Sequence, residues 1–324
     1  MYTREQITEL INRAVASLSF PEEAPLLFKP VRYVLSAGGK RLRPVMSLMA
    51  CNLFTDRIDE AIMPVTGLEV FHNFTLVHDD IMDQAPIRRN APTVHRKWNT
   101  NQAILSGDVM VFIANECLLE TPARLLPDIL RIYNRAAIDV CIGQQMDMDF
   151  ERLSVISQED YLKMIEKKTA VLLAASCQIG AIAGGADHKN AEYLYDFGRN
   201  LGIAFQIQDD LLDLYGNEKI FGKASGGDIV ANKKTFLYIK AMEAASTEQR
   251  KVLQVLYSGE GASPEEKIGT VKEIYDRLGV KEATTTIAGD YINASFRLLE
   301  RVEVRRERME ELLRFAESLT GREH

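Results

Sequence analysis

The sequence predicts an all-α protein, and the spacing of its apolar residues is the main reason. These residues recur at intervals of three and four along most of the chain, which places them on one face of a helix. No two alternating apolar runs flank an Asn-Gly or Asp-Gly turn, so no strands are predicted. The predicted helical segments are residues 3–18, 44–55, 60–83, 101–119, 125–150, 159–183, 190–215, 234–245, 265–278 and 281–318.

Breaks rich in glycine, proline and small polar residues separate these segments. They fall at residues 37–39, 84–92, 121–122, 184–186, 216–232 and 258–263. None of them is long enough or simple enough in composition to be a linker between domains, and no repeat at a solenoid period is present. The 324 residues are therefore predicted to form a single domain, 1–324.

The composition excludes several classes of function. The net charge of −7 argues against a general nucleic-acid binder held by phosphate charge. The four cysteines include no C-x-x-C pair, so neither a disulfide framework nor a zinc site is indicated.

The sequence also indicates a protein outside the membrane. The first residues lack the layout of a signal peptide. The uncharged run 169–186 contains Ser176, Gln178 and three glycines, so it indicates a packed core helix rather than a membrane span. A cytoplasmic location is expected.

Two acidic clusters end apolar helical segments. The first is Asp79-Asp80-Ile81-Met82-Asp83 and the second is Asp209-Asp210-Leu211-Leu212-Asp213. The outer aspartates of each cluster are four residues apart, so they share a helix face at a separation of ~6 Å. Carboxylates gathered at a helix C-terminus repel one another and oppose the helix dipole, which favours a bound cation. Mg²⁺ bridges carboxylates to phosphates in this way.

The alternative for either cluster alone is a solvated acidic helix end, but two copies in matching contexts favour a metal. Neither cluster has the glycine-centred loop of an EF-hand, so calcium in such a loop is disfavoured.

Basic residues lie near both acidic clusters and suit an anionic ligand. A single basic pair is more often a solvated surface, but several of these pairs lie in glycine turns, where backbone N–H groups also favour anions. No P-loop motif is present. The basic segments are Lys40 to Arg43, Arg88-Arg89, Lys167-Lys168, Lys223 and Lys233-Lys234.

These motifs together resemble the trans-isoprenyl (polyprenyl) diphosphate synthases, most specifically over residues 25–240. Asn90 departs from the glycine usual in that family, and Phe236-Leu237 replaces a frequent Leu-Pro. The matching motifs, in order, are Gly38-Gly39-Lys40-Arg41-Leu42-Arg43-Pro44, Asp79 to Asp83 with Arg88-Arg89, Gly143-Gln144-Gln145-Met146-Asp147, Lys168-Thr169, Phe205 to Asp213, Gly222-Lys223 and Lys233-Lys234-Thr235.

The resemblance implies a role for each side chain. The diphosphate of isopentenyl diphosphate would be held by Lys40, Arg43, His72 and Arg89. Magnesium ions, three of them when substrate is bound, would be coordinated by Asp79, Asp83 and Asp209. The allylic diphosphate would be neutralised by Arg88, Lys168, Lys223 and Lys233. The cation formed after ionisation would face Thr169 and Gln206, and the catalytic set would be Arg88, Lys168, Thr169 and Gln206.

The resemblance also implies a fold and a reaction. The fold would be the isoprenoid synthase fold, a single large helical bundle with a central active-site cavity, assembled as a homodimer. The enzyme would be a magnesium-dependent prenyltransferase that joins isopentenyl diphosphate to dimethylallyl, geranyl or farnesyl diphosphate. The lone His72, otherwise a core histidine, lies two turns before Asp79, which favours a substrate contact.

Product length would depend on the residues just before the first acidic cluster. In the resembling family, large residues at these positions form the floor of the tunnel that holds the growing chain. Here the floor would be Phe71, Phe74 and Thr75. Phe74 implies a product of 15 to 20 carbons, and the small Thr75 favours 20, geranylgeranyl diphosphate, over the farnesyl product.

Three alternatives stay open from the sequence. A terpene cyclase would normally have a second metal motif of the form N-D-x-x-S-x-x-x-E, which is not found here. In a cyclase or a head-to-head condensing enzyme, the Lys40 to Arg43 turn would have no isopentenyl diphosphate to bind. A non-catalytic regulatory subunit would lack a metal motif, whereas both motifs are complete here.

Overall fold

The computed structural model describes residues 1–153, 155–216, 225–259 and 263–320. These residues form two compact units. Unit 1 comprises Met1–Tyr133, Ala175–Tyr195 and Glu303–Leu312, and unit 2 comprises Asn134–Ala174, Asp196–Val302 and Leu313–His324. The single domain over residues 1–324 stays a prediction.

The described residues are almost entirely helical, which confirms the predicted all-α class. The helices are α1 (Arg4–Ser17), α2 (Pro25–Ser36), α3 (Leu42–Phe54), α4 (Asp59–Met82), α5 (Val94–Lys97), α6 (Thr100–Leu119), α7 (Leu126–Arg152), α8 (Gln158–Ile165), a π-helical turn (Glu166–Ala170), α9 (Val171–Ala183), α10 (His188–Tyr215), α11 (Gly227–Val230), α12 (Phe236–Ala244), α13 (Thr247–Tyr257), α14 (Pro264–Arg277), α15 (Val280–Leu299) and α16 (Arg306–Thr320).

The predicted helical segments all contain helix, but two of them are interrupted. Segment 159–183 consists of α8, the π-helical turn and α9, and segment 281–318 is divided between α15 and α16. Helices α2, α5, α11 and α13 were not predicted. Helix α2 contains Pro30, and proline argues against a helix interior in sequence. Helix α13 starts with a capping box between Ser246 and Gln249, a signal that apolar periodicity does not detect.

The expectation of no strands is wrong at one place, a short antiparallel hairpin. Strand β1 (Ile87–Arg88) pairs with β2 (Ala91–Pro92) inside the predicted break at residues 84–92. Two residues per strand are too few to show alternation. The turn residues Arg89 and Asn90 have φ values of 51° and 59°, the left-handed pair that a two-residue hairpin needs.

Helix α4 is the centre of unit 1. It packs against α3, α6, α1, α2 and α5, and half of its 24 residues are buried. Helix α6 approaches it closely at Gly67, where a Cβ would lie 2.7 Å from the carbonyl oxygen of Ala114. The packing of α4 therefore fixes where its final turn, with the first acidic cluster, lies in this unit.

Two hydrophobic clusters form the core of unit 2. One brings together α10, α12, α13 and α14 around Leu211, Leu237 and Tyr275. The other surrounds the π-helical turn and includes Tyr161, Ile207 and Phe236. The final turns of α10, which carry the second acidic cluster, therefore rest on both clusters.

Two apolar segments bear on the expected absence of a membrane span. Residues 169–186, predicted to be a core helix, form α9 and its flanks, and α9 is largely buried. Within the described ranges, α6 is long and apolar enough to cross a membrane by length and composition, and 39% of its most apolar window is buried. Because α6 packs against α4, it is a core helix of unit 1 with one exposed face.

Candidate active site

A cluster of arginines surrounds His72 in unit 1. Arg43 Nη1 lies 3.1 Å from His72 Nε2. A guanidinium can only donate, so His72 Nε2 accepts this hydrogen bond and the ring is neutral. Burial, then Arg43 and Arg89, holds the pKa of His72 well below its usual range. Burial also lowers the pKa of Arg43 to about 10, which leaves its guanidinium charged at neutral pH.

A buried ion pair holds Arg41, the first arginine of this cluster in sequence, in place. Arg41 Nη1 donates to Glu69 Oε1 at 2.7 Å, and both side chains are less than 5% exposed. Arg41 Nη2 also donates to the carbonyl oxygen of Leu35 at 2.5 Å. Arg41 has a left-handed backbone with a φ of 46°, which is unfavourable for a residue with a side chain. Its two bonds explain why this conformation persists just before α3.

The cluster keeps a positive charge that suits a diphosphate. Arg41, Arg43 and Arg89 interact with the single carboxylate of Glu69, so two positive charges remain. Glu69 pairs directly with Arg41, whereas Arg43 and Arg89 donate to neutral acceptors in the described part of unit 1. Guanidiniums bind phosphate oxygens through paired hydrogen bonds. This cluster therefore has the charge and the donors to bind a diphosphate.

The first acidic cluster divides into outer and inner carboxylates. Asp79 is half-buried and Asp83 is exposed, one turn apart at the end of α4. Asp80 is buried and accepts a 2.7 Å bond from Arg88 Nε. Burial raises the pKa of Asp80, and Arg88 opposes this rise. Asp80 therefore orients Arg88, and the outer pair lies where a cation can reach it.

The second acidic cluster in unit 2 shows the same division. Asp210 is buried and accepts bonds from the Tyr161 hydroxyl, from the Phe236 N–H at 3.1 Å and from Gln206 Nε2 at 3.2 Å. Burial raises the pKa of Asp210 to about 7. Asp209 is half-buried. The inner aspartate of each cluster is therefore bound within the protein.

Asp213, the last residue of the second cluster, is half-buried and bonds to residues at the start of α11. Its Oδ2 accepts the Asp228 N–H at 3.0 Å, and its carbonyl oxygen accepts the Gly226 N–H at 2.7 Å.

Four predicted residues of unit 2 line one cleft. The cleft has a volume of about 110 Å³ and is open to solvent. Lys168 Nζ donates to Asp147 at 2.5 Å, and Thr169 Oγ1 donates to Gln206 Oε1 at 3.0 Å. Lys168 and Thr169 belong to the π-helical turn, a rare geometry that often marks functional sites. The predicted residues in the cleft are Lys168, Thr169, Gln206 and Lys233.

The acidic clusters suit a metal that substrate helps to hold. Among the residues that the structure describes, no three His, Cys, Asp or Glu side chains form a group that could hold a metal ion. Mg²⁺ typically uses one or two carboxylates together with waters and substrate phosphates. The outer pair Asp79 and Asp83 on one helix face matches that requirement, so these residues fit the expected ion.

The predicted tunnel-floor residues form an aromatic group in unit 1. Phe71 is buried, and its ring centroid lies 5.4 Å from that of Phe74 and 5.3 Å from that of Tyr133. Phe74 also contacts the ring of His78 edge-on at 4.8 Å. Thr75 uses its hydroxyl to donate to the His72 carbonyl oxygen. The structure therefore brings Phe71 and Phe74 together and adds Tyr133, which was not predicted.

One predicted residue cannot be placed, and several contributors were not predicted. Lys223 lies outside the described residues. Glu69 and Asn73 were missed because they occur in an apolar helical segment, although polar residues four apart in such a segment are a signal of a buried network. Asp147 belongs to a quoted motif but had no role, and Tyr161 gave no signal in the sequence.

Comparison with known proteins identifies the family. The family model described as Polyprenyl synthetase matches residues 24–278. The chain is 34% identical over 322 residues to the short chain isoprenyl diphosphate synthase of Methanothermobacter thermautotrophicus, covering 99% of this chain and 96% of that protein. It is 37% identical to the geranylgeranyl diphosphate synthase of Methanosarcina mazei over 94% of this chain and 91% of that one. A geranylfarnesyl diphosphate synthase of Natronomonas pharaonis is 39% identical over 254 residues, 72% of this chain and 74% of that one.

Solved structures agree with the sequence comparisons. A crystal structure of a geranylgeranyl pyrophosphate synthase matches with a TM-score of 0.95 and 38% identity over all of both chains. A polyprenyl synthase from Caulobacter crescentus, solved with calcium and isoprenyl diphosphate, matches with a TM-score of 0.83 and 30% identity over 98% of this chain and 94% of that one. These neighbours confirm the isoprenoid synthase fold that the resemblance implied. The chain belongs to the polyprenyl synthetase family.

Proposed function

We propose that this chain condenses isopentenyl diphosphate with an allylic diphosphate, head to tail, to give a short all-trans prenyl diphosphate. The observation that carries the proposal is the cationic cluster of unit 1, where Arg43 and Arg89 keep two positive charges in a partly buried site. Family membership supports the reaction type. The names of two relatives, a short chain isoprenyl diphosphate synthase and a geranylgeranyl diphosphate synthase, support prenyl diphosphate synthesis in general.

The chain's own residues have separate roles in this proposal. Arg43, His72 and Arg89, with Lys40, bind the diphosphate of isopentenyl diphosphate. Because His72 is neutral and accepts from Arg43, its Nδ1–H is left as a donor. The allylic diphosphate is neutralised by Arg88, Lys168, Lys223 and Lys233. Thr169 and Gln206 face the allylic cation.

Asp79, Asp83 and Asp209 are proposed as ligands of magnesium, with three ions expected when substrate is bound. Bound magnesium would stabilise the negative charge that develops on the departing diphosphate. The inner aspartates have a different role, because Asp80 and Asp210 are buried and hydrogen-bonded within the protein.

The reaction needs no separate nucleophile from the protein. The allylic carbon–oxygen bond breaks, and its electron pair leaves with the diphosphate. The double bond of isopentenyl diphosphate then attacks the allylic cation, forming one carbon–carbon bond. A proton is lost to the departed diphosphate, which restores a double bond. Cationic side chains favour the first step because they stabilise the charge of the leaving group.

Removing one proposed magnesium ligand should abolish most turnover. Asp79→Ala or Asp209→Ala should lower kcat by ~100-fold or more, because charge stabilisation in the transition state is lost. Asp290→Ala is the matched control, since Asp290 is exposed on α15. The measurement is incorporation of labelled isopentenyl diphosphate at saturating magnesium. Turnover of Asp79→Ala at the control's rate would refute the metal assignment.

We propose geranylgeranyl diphosphate, with 20 carbons, as the main product, with farnesyl diphosphate as the alternative. Phe74 is half-buried and Phe71 behind it is buried, which supports a floor at this depth, while Thr75 is small. Relatives include a geranylfarnesyl diphosphate synthase, so family membership alone leaves the length open.

Replacing Phe74 by a residue with a smaller side chain should lengthen the product. Phe74→Ala removes the first ring of the floor, so we expect products longer by at least one isoprene unit. Phe71 and Tyr133 remain behind it as a second layer. Chromatography of the dephosphorylated products measures the length. Phe28→Ala, a buried phenylalanine elsewhere in unit 1, is the control for loss of a core ring. An unchanged product from Phe74→Ala would remove Phe74 from the floor.

A homodimer is also proposed, and the exposed face of α6 supports it. Leu105, Phe112 and Leu119 are seven residues apart on this face, and each is more than half exposed. Ile104 extends the same apolar surface. Exposed apolar stripes of this kind mark association surfaces. Light scattering should give twice the mass of one chain, and a monomer's mass at micromolar concentration would contradict the proposal.

A cytoplasmic location stays a prediction.

A further inference from the structure

Asn73 lies at the centre of a chain of hydrogen bonds that reaches the proposed diphosphate site. It is fully buried on α4. Its Nδ2 donates to the carbonyl oxygen of Glu69 at 2.8 Å and to Glu69 Oε1 at 2.9 Å. Its Oδ1 accepts from Arg89 Nη1 at 3.3 Å. The residue therefore connects the buried carboxylate of the cluster to one of its two remaining charges.

The neighbours of Asn73 allow only one orientation of its amide. An ionised Glu69 can only accept, and Arg89 can only donate. Turning the amide over would place its oxygen against the Glu69 carboxylate and its NH₂ against the guanidinium, so both contacts would become repulsive. The pair Arg41–Glu69 fixes the carboxylate in turn. The direction of the Asn73 oxygen toward Arg89 is therefore set by the buried ion pair behind it.

Arg89 depends on this contact because its other acceptor lies in the glycine turn before α3 and not in a helix. Its Nη1 also donates to the Gly38 carbonyl oxygen at 2.6 Å. Gly38 and Gly39 both have positive φ values, and a Cβ on Gly39 would lie 3.0 Å from the Arg89 guanidinium carbon. Arg89 itself sits in the left-handed region with a φ of 51°. Of the two acceptors that Arg89 has among the described residues, Asn73 is the one that belongs to a packed helix.

The side chain of Asn73 is a neutral amide, so it leaves the positive charge of Arg89 intact. Arg88, the preceding residue, is bound by the carboxylate of Asp80 at 2.7 Å. Arg89 is instead bound by a neutral amide and a neutral carbonyl. An amide oxygen can orient a guanidinium without cancelling its charge, so Arg89 keeps its attraction for an anion.

We propose that Asn73 is a positioning residue for isopentenyl diphosphate, which fixes the Arg89 guanidinium toward the diphosphate without neutralising it. Asn73 does not touch the substrate and acts through Arg89. This inference rests on the proposed function, because it assigns Arg89 to the isopentenyl diphosphate site.

Kinetics on two Asn73 variants test the inference. Asn73→Leu keeps the volume and Asn73→Ala removes it, and both lose the bond to Arg89. Each should raise the KM for isopentenyl diphosphate about tenfold, the factor for one charge-assisted hydrogen bond. The KM for the allylic substrate and kcat should stay within about twofold. Asn52→Ala is the control, since Asn52 is buried in unit 1 and its side chain bonds to the Tyr2 N–H and the Thr55 carbonyl oxygen.

A double-mutant cycle separates positioning from a general loss of structure. In the Arg89→Ala background, Asn73→Leu should change the KM for isopentenyl diphosphate by less than about twofold, because the group it orients is gone. A tenfold further rise in that background would overturn the inference. So would an unchanged KM in a folded Asn73→Leu variant of the otherwise native chain.

A binding measurement distinguishes this inference from the proposed function. Calorimetric titration of inorganic pyrophosphate without magnesium measures how tightly the cationic cluster binds a diphosphate when no turnover takes place. Asn73→Leu should weaken this binding about tenfold relative to Asn52→Ala. If the parent chain incorporates no isopentenyl diphosphate, the proposed function fails, and this titration still tests Asn73. Equal pyrophosphate affinity in Asn73→Leu and Asn52→Ala would overturn the positioning role.

Discussion

Replacing Gly143 by alanine should remove most condensation activity. A Cβ at this position in α7 would lie 2.2 Å from the Lys168 amide nitrogen and 2.6 Å from the Lys168 Cα. These are backbone atoms of the π-helical turn, so they cannot move aside as the end of a side chain can. The turn carries Lys168 and Thr169 into the unit 2 cleft. A displacement of ~1 Å in such groups can cost about 100-fold in rate, and kcat should fall by that amount.

A second glycine provides the matched control. Gly289 lies inside α15, and an added Cβ would meet nothing within 4 Å. Gly289→Ala should keep the parent's kcat and should gain up to about 1 kcal/mol of stability, because alanine favours helix more than glycine does. Thermal unfolding of both variants would check folding. A folded Gly143→Ala variant with the parent's kcat would show that the close approach of α7 to the turn is not needed for activity.

Replacing Glu69 by glutamine should lower the free energy of unfolding more than the same replacement of an exposed glutamate does. The change leaves the buried guanidinium of Arg41 without a carboxylate, and a broken buried ion pair costs about 3–5 kcal/mol. The free energy of unfolding, measured with urea, should therefore fall by at least about 3 kcal/mol. The left-handed backbone at Arg41 adds to the expected loss, because Arg41 loses part of what holds it there.

The control is the same substitution at an exposed ion pair. Glu9 lies 3.8 Å from Arg13 on α1, and both side chains are about two-thirds exposed. Glu9→Gln should change the free energy of unfolding by less than about 1 kcal/mol, because solvent screens such pairs. A Glu69→Gln variant as stable as Glu9→Gln would show that the Glu69–Arg41 pair does not hold the cluster together.

The helical fold could be predicted largely because the periodicity of apolar residues is a local property of the sequence. Three of the helices that were not predicted lack the apolar periodicity or contain a proline. Pro30 lies inside α2, and α5 and α11 have four residues each, too few to show a period. The π-helical turn at residues 166–170 has no sequence signal, and its close approach to Gly143 and Gly202 exists only in the folded chain.

The candidate site divides in the same way between local and tertiary features. The two aspartate clusters and the basic turns are contiguous motifs, so their chemistry could be predicted from the sequence. Glu69 and Asn73 act through partners 16 to 28 residues away, and such pairs become visible only when α4 meets the turn before α3 and the hairpin. The buried roles of Asp80 and Asp210 likewise depend on Arg88 and Tyr161, which approach them in the folded chain.

Product analysis is the measurement that tests the proposed condensation most directly. The protein would be mixed with magnesium, labelled isopentenyl diphosphate and, separately, dimethylallyl, geranyl or farnesyl diphosphate. We expect label in linear diphosphates extended by whole isoprene units, with 20 carbons as the longest main product. If the label stayed unincorporated while an allylic substrate was released as a cyclic hydrocarbon, the chain would be a cyclase, and the assignment of Arg43 and Arg89 to isopentenyl diphosphate would be wrong.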